Sequence, residues 1–127
     1  MKYLLLLFLA LAAVAGCSVL GDPYTGEFAS SAGGEAFIKV TKQNGEYAYS
    51  TMENGKWDTP RPMRVVDEKE YAYVVGSDCA PCMKGAIATE VVMLLRVNKG
   101  AYCERIPFET DYMFISFLGI DFLYKLR

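Results

Sequence analysis

Histidine is absent from the 127-residue chain. Its absence excludes Ser-His-Asp and Cys-His nucleophilic sites, zinc sites with histidine ligands, and the usual general base near neutral pH. Acidic pairs such as Glu109 and Asp111 have nothing in the sequence to hold them in the geometry of a glycosidase. The sequence therefore predicts a protein that is not an enzyme and that carries no cofactor and no metal.

A cluster of basic residues is missing as well. The chain has 13 Lys and Arg against 15 Asp and Glu, a formal net charge of −2. Such a mildly acidic chain lacks the positive surface on which nucleic acids bind. Aromatic residues make up 13 % of the chain, which favours a globular domain over a disordered tail. No nucleic-acid partner is expected.

An apolar run long enough to cross a bilayer is not found near the N-terminus. Residues 3–15 are apolar, but they fall short of the roughly 20 residues that a spanning helix needs. Lys2 precedes this run, and small residues follow it at 12–16. That order of charge, apolar run and small residues is typical of a secretory signal peptide.

The run ends in Val14-Ala15-Gly16-Cys17, which resembles the lipobox of bacterial lipoproteins. In that family a peptidase cuts just before the cysteine, whose thiol forms a thioether to diacylglycerol. The resemblance implies that residues 1–16 are a signal peptide and that Cys17 is lipidated. Acyl chains such as palmitate, at about 0.8 kcal/mol per buried CH₂, would then anchor the mature chain to a membrane.

Ser18 after the cysteine resembles the outer-membrane-sorted class of lipoproteins, so the expected location is the outer membrane of a bacterial envelope. The expected partners are the membrane, through the lipid, and a protein of the envelope. Residues 17–34 are interpreted as a tether with a first strand at 24–29, and residues 35–127 as a β-rich globular domain.

Alternating runs separated by turn residues point to an antiparallel sheet. Asn44-Gly45 and Asn54-Gly55 each lie between such runs, and both residues of an Asn-Gly pair tolerate positive φ. They predict a three-strand meander over 35–58. The fold class is therefore all-β or β-rich, a small antiparallel single domain in which a meander closes towards a barrel.

Further strands are predicted at 63–66, 71–75 and 101–108, with a charged turn at 67–70. Residues 59–62 contain two prolines, which remove ladder donors, so an edge or a loop is expected there.

Two apolar segments leave alternatives open. Residues 86–97 read as a long strand or as a helix, with the strand favoured by β-branched residues. Residues 112–126 form a C-terminal apolar segment that packs over the sheet as a terminal strand or short helix. Alternatively, this segment is an exposed apolar surface that docks a partner or the membrane.

Three cysteines besides Cys17 are candidates for a disulfide: Cys79, Cys82 and Cys103. An exported chain meets an oxidising compartment, where small domains use such bonds to supplement a thin core. Cys103 could pair with Cys79 or with Cys82, and a local bond between Cys79 and Cys82 competes.

Cys79-Ala80-Pro81-Cys82 resembles the Cys-x-x-Cys motif of thioredoxin-like oxidoreductases. The resemblance implies an alternative function, thiol-disulfide exchange by Cys79 and Cys82, with a helix beginning near Cys82. Asp78 stands where that family usually has an aromatic residue, and a nearby acid raises the pKa of a thiol.

Aromatic residues recur along the predicted sheet. They could line a binding face, where rings supply contact area at low entropic cost, or simply cover one side of a small sheet. The candidates for such a face are Tyr47, Tyr49, Trp57, Tyr71 and Tyr73.

Overall fold

The computed structural model describes residues 22–127. The lipobox and Cys17 lie outside the described residues. The strands are β1 Gly26–Ala29, β2 Ile38–Gln43, β3 Glu46–Glu53, β4 Lys56–Trp57, β5 Arg61–Val66, β6 Met83–Ala88, β7 Met93–Val97, β8 Tyr102–Cys103, β9 Ile106–Pro107, β10 Tyr112–Ser116 and β11 Gly119–Lys125. One α-helix, α1, spans Glu68–Val75, and a 3-10 turn spans Ala80–Cys82.

Eight of these strands form a closed antiparallel barrel. Around the barrel the order is β1, β2, β3, β5, β6, β7, β10 and β11, and β11 pairs with β1 to close it. Strand β4 pairs with the C-terminal end of β3, and β8 pairs with β9 in a separate hairpin. Neighbours in the chain are thus neighbours in the barrel, which is the up-and-down arrangement. The predicted fold class is confirmed.

Both Asn-Gly turns form as predicted. Asn44 and Gly45 have φ of 54° and 79°, and Asn54 and Gly55 have φ of 52° and 78°. Positive φ at both central residues matches the right-handed twist of the flanking strands. Strand β1, which the sequence places in the segment ahead of the globular domain, lies in the barrel between β2 and β11.

The predicted strand at 71–75 is wrong, because this segment belongs to α1. Asp67 caps the helix, and its carboxylate accepts a hydrogen bond of 2.9 Å from the backbone N–H of Glu70. Acidic residues in the first turn also suit the positive end of the helix dipole. The predicted charged turn is therefore the cap and first turn of a helix, and Asp67-x-x-Glu70 was the signal for it.

The edge or loop predicted at 59–62 is confirmed, because residues 59 and 60 lie outside any strand and Pro62 has a neighbouring strand on one side only. Strand β5 already begins at Arg61, and Pro62 pairs in register with Ala48 of β3. Pairing of β5 with β6 starts only at Arg64. Since Pro62 has a neighbouring strand on one side only, the missing N–H donor is tolerated there.

Residues 86–97 are neither one long strand nor a helix. They contribute to β6 and β7, with a turn between Ala88 and Met93. Thr89 stabilises this turn, because its Oγ1 accepts hydrogen bonds of 3.1 Å from the backbone N–H groups of Val91 and Val92. A threonine is a weak turn signal, so the sequence gives little indication of this hairpin.

Two other single-element predictions resolve into hairpins. Residues 101–108 hold β8 and β9, which turn at Glu104 and Arg105 with φ of 49° and 72°. Residues 112–126 hold β10 and β11, paired from Tyr112 with Leu123 to Ser116 with Gly119. The C-terminal apolar segment is therefore part of the barrel wall and not a cover over it.

The barrel has a core on its inside and a second core on its outside. The inner core is formed by side chains from all eight strands together with Tyr24, namely Tyr24, Phe28, Ile38, Val40, Tyr47, Tyr49, Met63, Ile87, Leu94, Phe114 and Leu123. The outer core forms where α1, the 3-10 turn and the β8–β9 hairpin cover β6, β7 and β10. Where β6 and β7 are buried on both faces, at 86–88 and 93–95, their sequences are continuous apolar runs.

The segment Asp22 to Tyr24 closes one end of the barrel. The buried Tyr24 ring packs edge-on against Tyr47 at 5.5 Å, and the guanidinium of Arg96 lies 5.8 Å from its centroid. Asp22 accepts a hydrogen bond of 3.0 Å from the hydroxyl of Tyr47. The hydroxyl of Tyr112 donates to the carbonyl of Pro23 at 2.6 Å. These contacts fix the point at which the N-terminal segment enters the barrel.

We expect Gly85→Ala to destabilise the protein by about 1–3 kcal/mol, because an added Cβ meets an occupied site in a strained conformation. Gly85 has a φ of 152°, and its Cβ would lie 2.6 Å from the hydroxyl of Tyr24. Gly100→Ala is the matched control, since Gly100 also has positive φ but open space around it. Urea denaturation of both variants measures the difference. Equal losses of stability in the two variants would show that a Cβ at position 85 does not clash with Tyr24.

Stability is expected to fall as the pH rises above 10. Burial raises the pKa of Tyr24 to about 12. Burial, together with the hydrogen bond to Asp22, raises the pKa of Tyr47 to about 12. In the unfolded chain these phenols ionise near pH 10, so the unfolded state loses its protons first and is favoured between pH 10 and 12. Between pH 10 and 12, the urea denaturation midpoint of the double variant Tyr24→Phe/Tyr47→Phe should fall less steeply than that of the unchanged protein. An equally steep fall in that variant would rule the two phenols out as the cause.

Candidate functional site

An apolar groove lies on the outside of the barrel, between α1, the β8–β9 hairpin and the wall formed by β10 and β11. Its volume is about 370 Å³, within the range of about 300–1,000 Å³ usual for ligand pockets. The lining residues are Val74, Val75, Cys79, Met83, Cys103, Glu104, Phe108, Met113, Ile115, Ile120 and Phe122. We refer to this feature as the lateral groove.

Strand register creates the floor of the lateral groove. Met113 pairs with Phe122, and Ile115 pairs with Ile120, so two apolar pairs face the same side of the β10–β11 hairpin. Met113, on the strand next to β7, is buried in the outer core. Ile120, on β11, is 57 % exposed. The covering elements therefore stop short of β11 and leave apolar wall open beside them.

A disulfide between Cys79 and Cys103 forms one side of the lateral groove. The two Cα atoms are 5.4 Å apart, and the bond joins the segment after α1 to strand β8. Of the pairings that the sequence left open, this is the one that forms. Because α1 and the β8–β9 hairpin both cover the outer core, the bond ties together the two elements that border the groove.

Cys82 is left without a cysteine partner among the described residues. It is half-buried in the 3-10 turn, and its Sγ lies 3.8 Å from the carbonyl oxygen of Tyr102. Strand β6 begins directly after it, at Met83. The helix that the oxidoreductase resemblance implied near Cys82 is therefore not formed.

The five candidate aromatic residues do not come together in one face. Tyr47 and Tyr49 are buried inside the barrel, and Tyr71 is buried in the outer core. Trp57 lies on β4, with the ammonium of Lys39 5.0 Å from its ring. Tyr73, on the solvent side of α1, is 92 % exposed.

More exposed apolar side chains lie at the turn between β10 and β11, just before Ile120 in the chain. Phe117 and Leu118 at this turn are 89 % and 82 % exposed, and Ile120, which follows them in the chain, lines the groove. The C-terminal apolar segment therefore has side chains buried in the cores and others exposed at the surface, and its docking of a partner or of the membrane stays a prediction. Contiguous exposed apolar surface commonly marks an interaction site.

The side chains that line the lateral groove are mostly apolar. Glu104 is the one charged residue among those that line it. Within residues 22–127 no group of three His, Cys, Asp or Glu side chains is placed to hold a metal ion. The chemistry available is therefore apolar contact with a single carboxylate at the edge.

The fold and the groove together define a class of protein, a small up-and-down β-barrel with a lateral apolar groove. We found no family model that matches the chain, and no curated protein or solved structure with significant similarity to it. No helix in residues 22–127 is long and apolar enough to span a membrane.

Proposed function

We propose that this protein is a lipoprotein of the bacterial outer membrane, anchored through Cys17, that binds a protein partner without catalysing a reaction. The lateral groove is the proposed binding site. The observation that carries this proposal is the open apolar wall of β10 and β11 beside the disulfide. That wall is held in shape by two cores, which is how rigid binding sites are generally built.

The position of the N-terminal segment supports this arrangement. Asp22 lies at the end of the barrel where β11 finishes, since the Nζ of Lys125 is 3.4 Å from the carbonyl of Pro23. Phe117 lies beyond the start of β11, at the other end. The chain from Cys17 to Asp22 can span at most about 18 Å. A lipid on Cys17 would keep the first end near the membrane and direct the exposed turn away from it.

Thiol-disulfide exchange by Cys79 and Cys82 has less support as an alternative. Cys79 is bonded to Cys103, whose strand is part of the cover over the outer core. A dithiol of Cys79 and Cys82 would require that bond to open first. No second function is therefore proposed.

Lipid attachment is tested by metabolic labelling with a palmitate analogue. The protein should take up the label, and Cys17→Ser should abolish the uptake. Cys82→Ser is the matched control, because it removes a half-buried thiol elsewhere and should leave labelling unchanged. Label retained in Cys17→Ser would contradict the anchor.

The binding site is tested with Nile red, a neutral apolar dye. Ile120→Asp should weaken dye binding about ten-fold, because it removes apolar contact and places a charge in the lateral groove. Val65→Asp is the control, since Val65 is 68 % exposed on β5 and does not line the groove. Equal effects of the two substitutions on fluorescence titrations would contradict the assignment of the site.

A further inference from the structure

We infer that the occupant of the lateral groove is cationic as well as apolar. It is a segment of a partner protein in which a large apolar side chain stands beside a lysine or an arginine. This inference rests on the proposed function and adds the chemical class of the partner to it.

The apolar part of the occupant is required by the groove walls. Ile115 and Phe122 are only half-buried, and Val74 and Ile120 are exposed on opposite borders. A side chain placed between these borders would remove apolar surface from water on both sides, at about 25 cal/mol per Å². This contact supplies most of the affinity.

The cationic part follows from Glu104. Glu104 lies at the turn between β8 and β9, directly after Cys103, so the disulfide holds its backbone against the groove. None of the ion pairs found within residues 22–127 involves Glu104. Arg105 follows it in the chain but is not among the groove-lining residues. The carboxylate is therefore available to a ligand.

The carboxylate contributes selectivity more than affinity. An ion pair at an exposed edge is worth at most about 1 kcal/mol, which corresponds to about a five-fold change in affinity. Charge at the rim of an interface chiefly discriminates between partners and speeds their encounter. We therefore expect a cationic probe to bind about five-fold more tightly than a neutral probe of the same length.

The experiment compares octylammonium, octanol and octanoate at pH 7 and low salt. Each is titrated into the chain from residue 17 onwards, carrying Cys17→Ser so that no attached lipid competes. Chemical shifts of the methyl groups of Ile115 and Ile120 report occupancy of the lateral groove. The expected order of affinity is octylammonium, then octanol, then octanoate. Glu104→Gln should abolish the difference, and Glu90→Gln, which changes an exposed carboxylate in the β6–β7 turn, should not.

The outcomes separate the two proposals. If all three probes bind in the groove equally and Glu104→Gln has no effect, the cationic partner is ruled out and the groove remains a binding site. If the probes shift only resonances elsewhere, or none, the groove itself is not a binding site and both proposals fail.

Discussion

Phe28→Ala is expected to lower the free energy of unfolding by about 3–5 kcal/mol. Phe28 is fully buried in the inner core, and its ring packs at 5.0 Å against that of Tyr112. It also lies where the barrel closes, because it pairs in register with Ile38 of β2 and with Lys125 of β11. Truncation would leave a cavity that strands paired on both sides of β1 cannot easily collapse to fill.

Phe117→Ala is the matched control for this substitution. It removes the same atoms from a side chain that is 89 % exposed, and it should change stability by less than about 0.5 kcal/mol. Urea denaturation of both variants gives the two free energies. If both variants lost only a little free energy of unfolding, β1 would not be a strand of a closed barrel.

Cys79→Ser/Cys103→Ser is expected to lower the free energy of unfolding by about 3 kcal/mol. The disulfide closes a loop with a sequence separation of 24, and its removal restores freedom to the unfolded chain. It also releases the β8–β9 hairpin from the segment after α1, so the variant should bind Nile red more weakly at the lateral groove. Denaturation and dye titration on the same sample measure both effects.

Cys82→Ser is the control for the disulfide prediction. Cys82 contributes one half-buried thiol and no covalent bond within the described residues, so its replacement should cost less than about 1 kcal/mol. A large loss in Cys82→Ser together with a small loss in the double variant would show that a different pair of cysteines is bonded.

Local turn chemistry allowed much of the barrel to be predicted from the sequence. Asn44-Gly45 and Asn54-Gly55 leave the chain little alternative to tight hairpins, and the strands around them followed. The predictions failed where another signal competed. At 71–75 the alternation of Tyr71, Tyr73 and Val75 imitated a strand, although the cap at Asp67 favoured a helix.

The candidate site was harder to predict, because it depends on contacts between distant segments. The aromatic residues selected from the sequence are mostly buried, since alternating tyrosines fill the barrel as readily as they line a surface. The groove residues Ile115 and Ile120 face the same side because 112–126 folds into a hairpin, which the sequence alone does not predict. The choice of Cys79 over Cys82 as the partner of Cys103 depends on the path of the loop after α1, which spacing alone does not determine.

Site-specific photo-crosslinking tests the proposed binding function most directly. A photoreactive amino acid is placed at Ile120, or at Val65 as the control, in the protein produced in the cells of its source organism. A binding module that uses the lateral groove should give one discrete cross-linked product from position 120 and none from position 65. The cross-linked partner peptide should carry a large apolar residue beside a lysine or an arginine. Equal products from both positions, or none from position 120, would contradict the account.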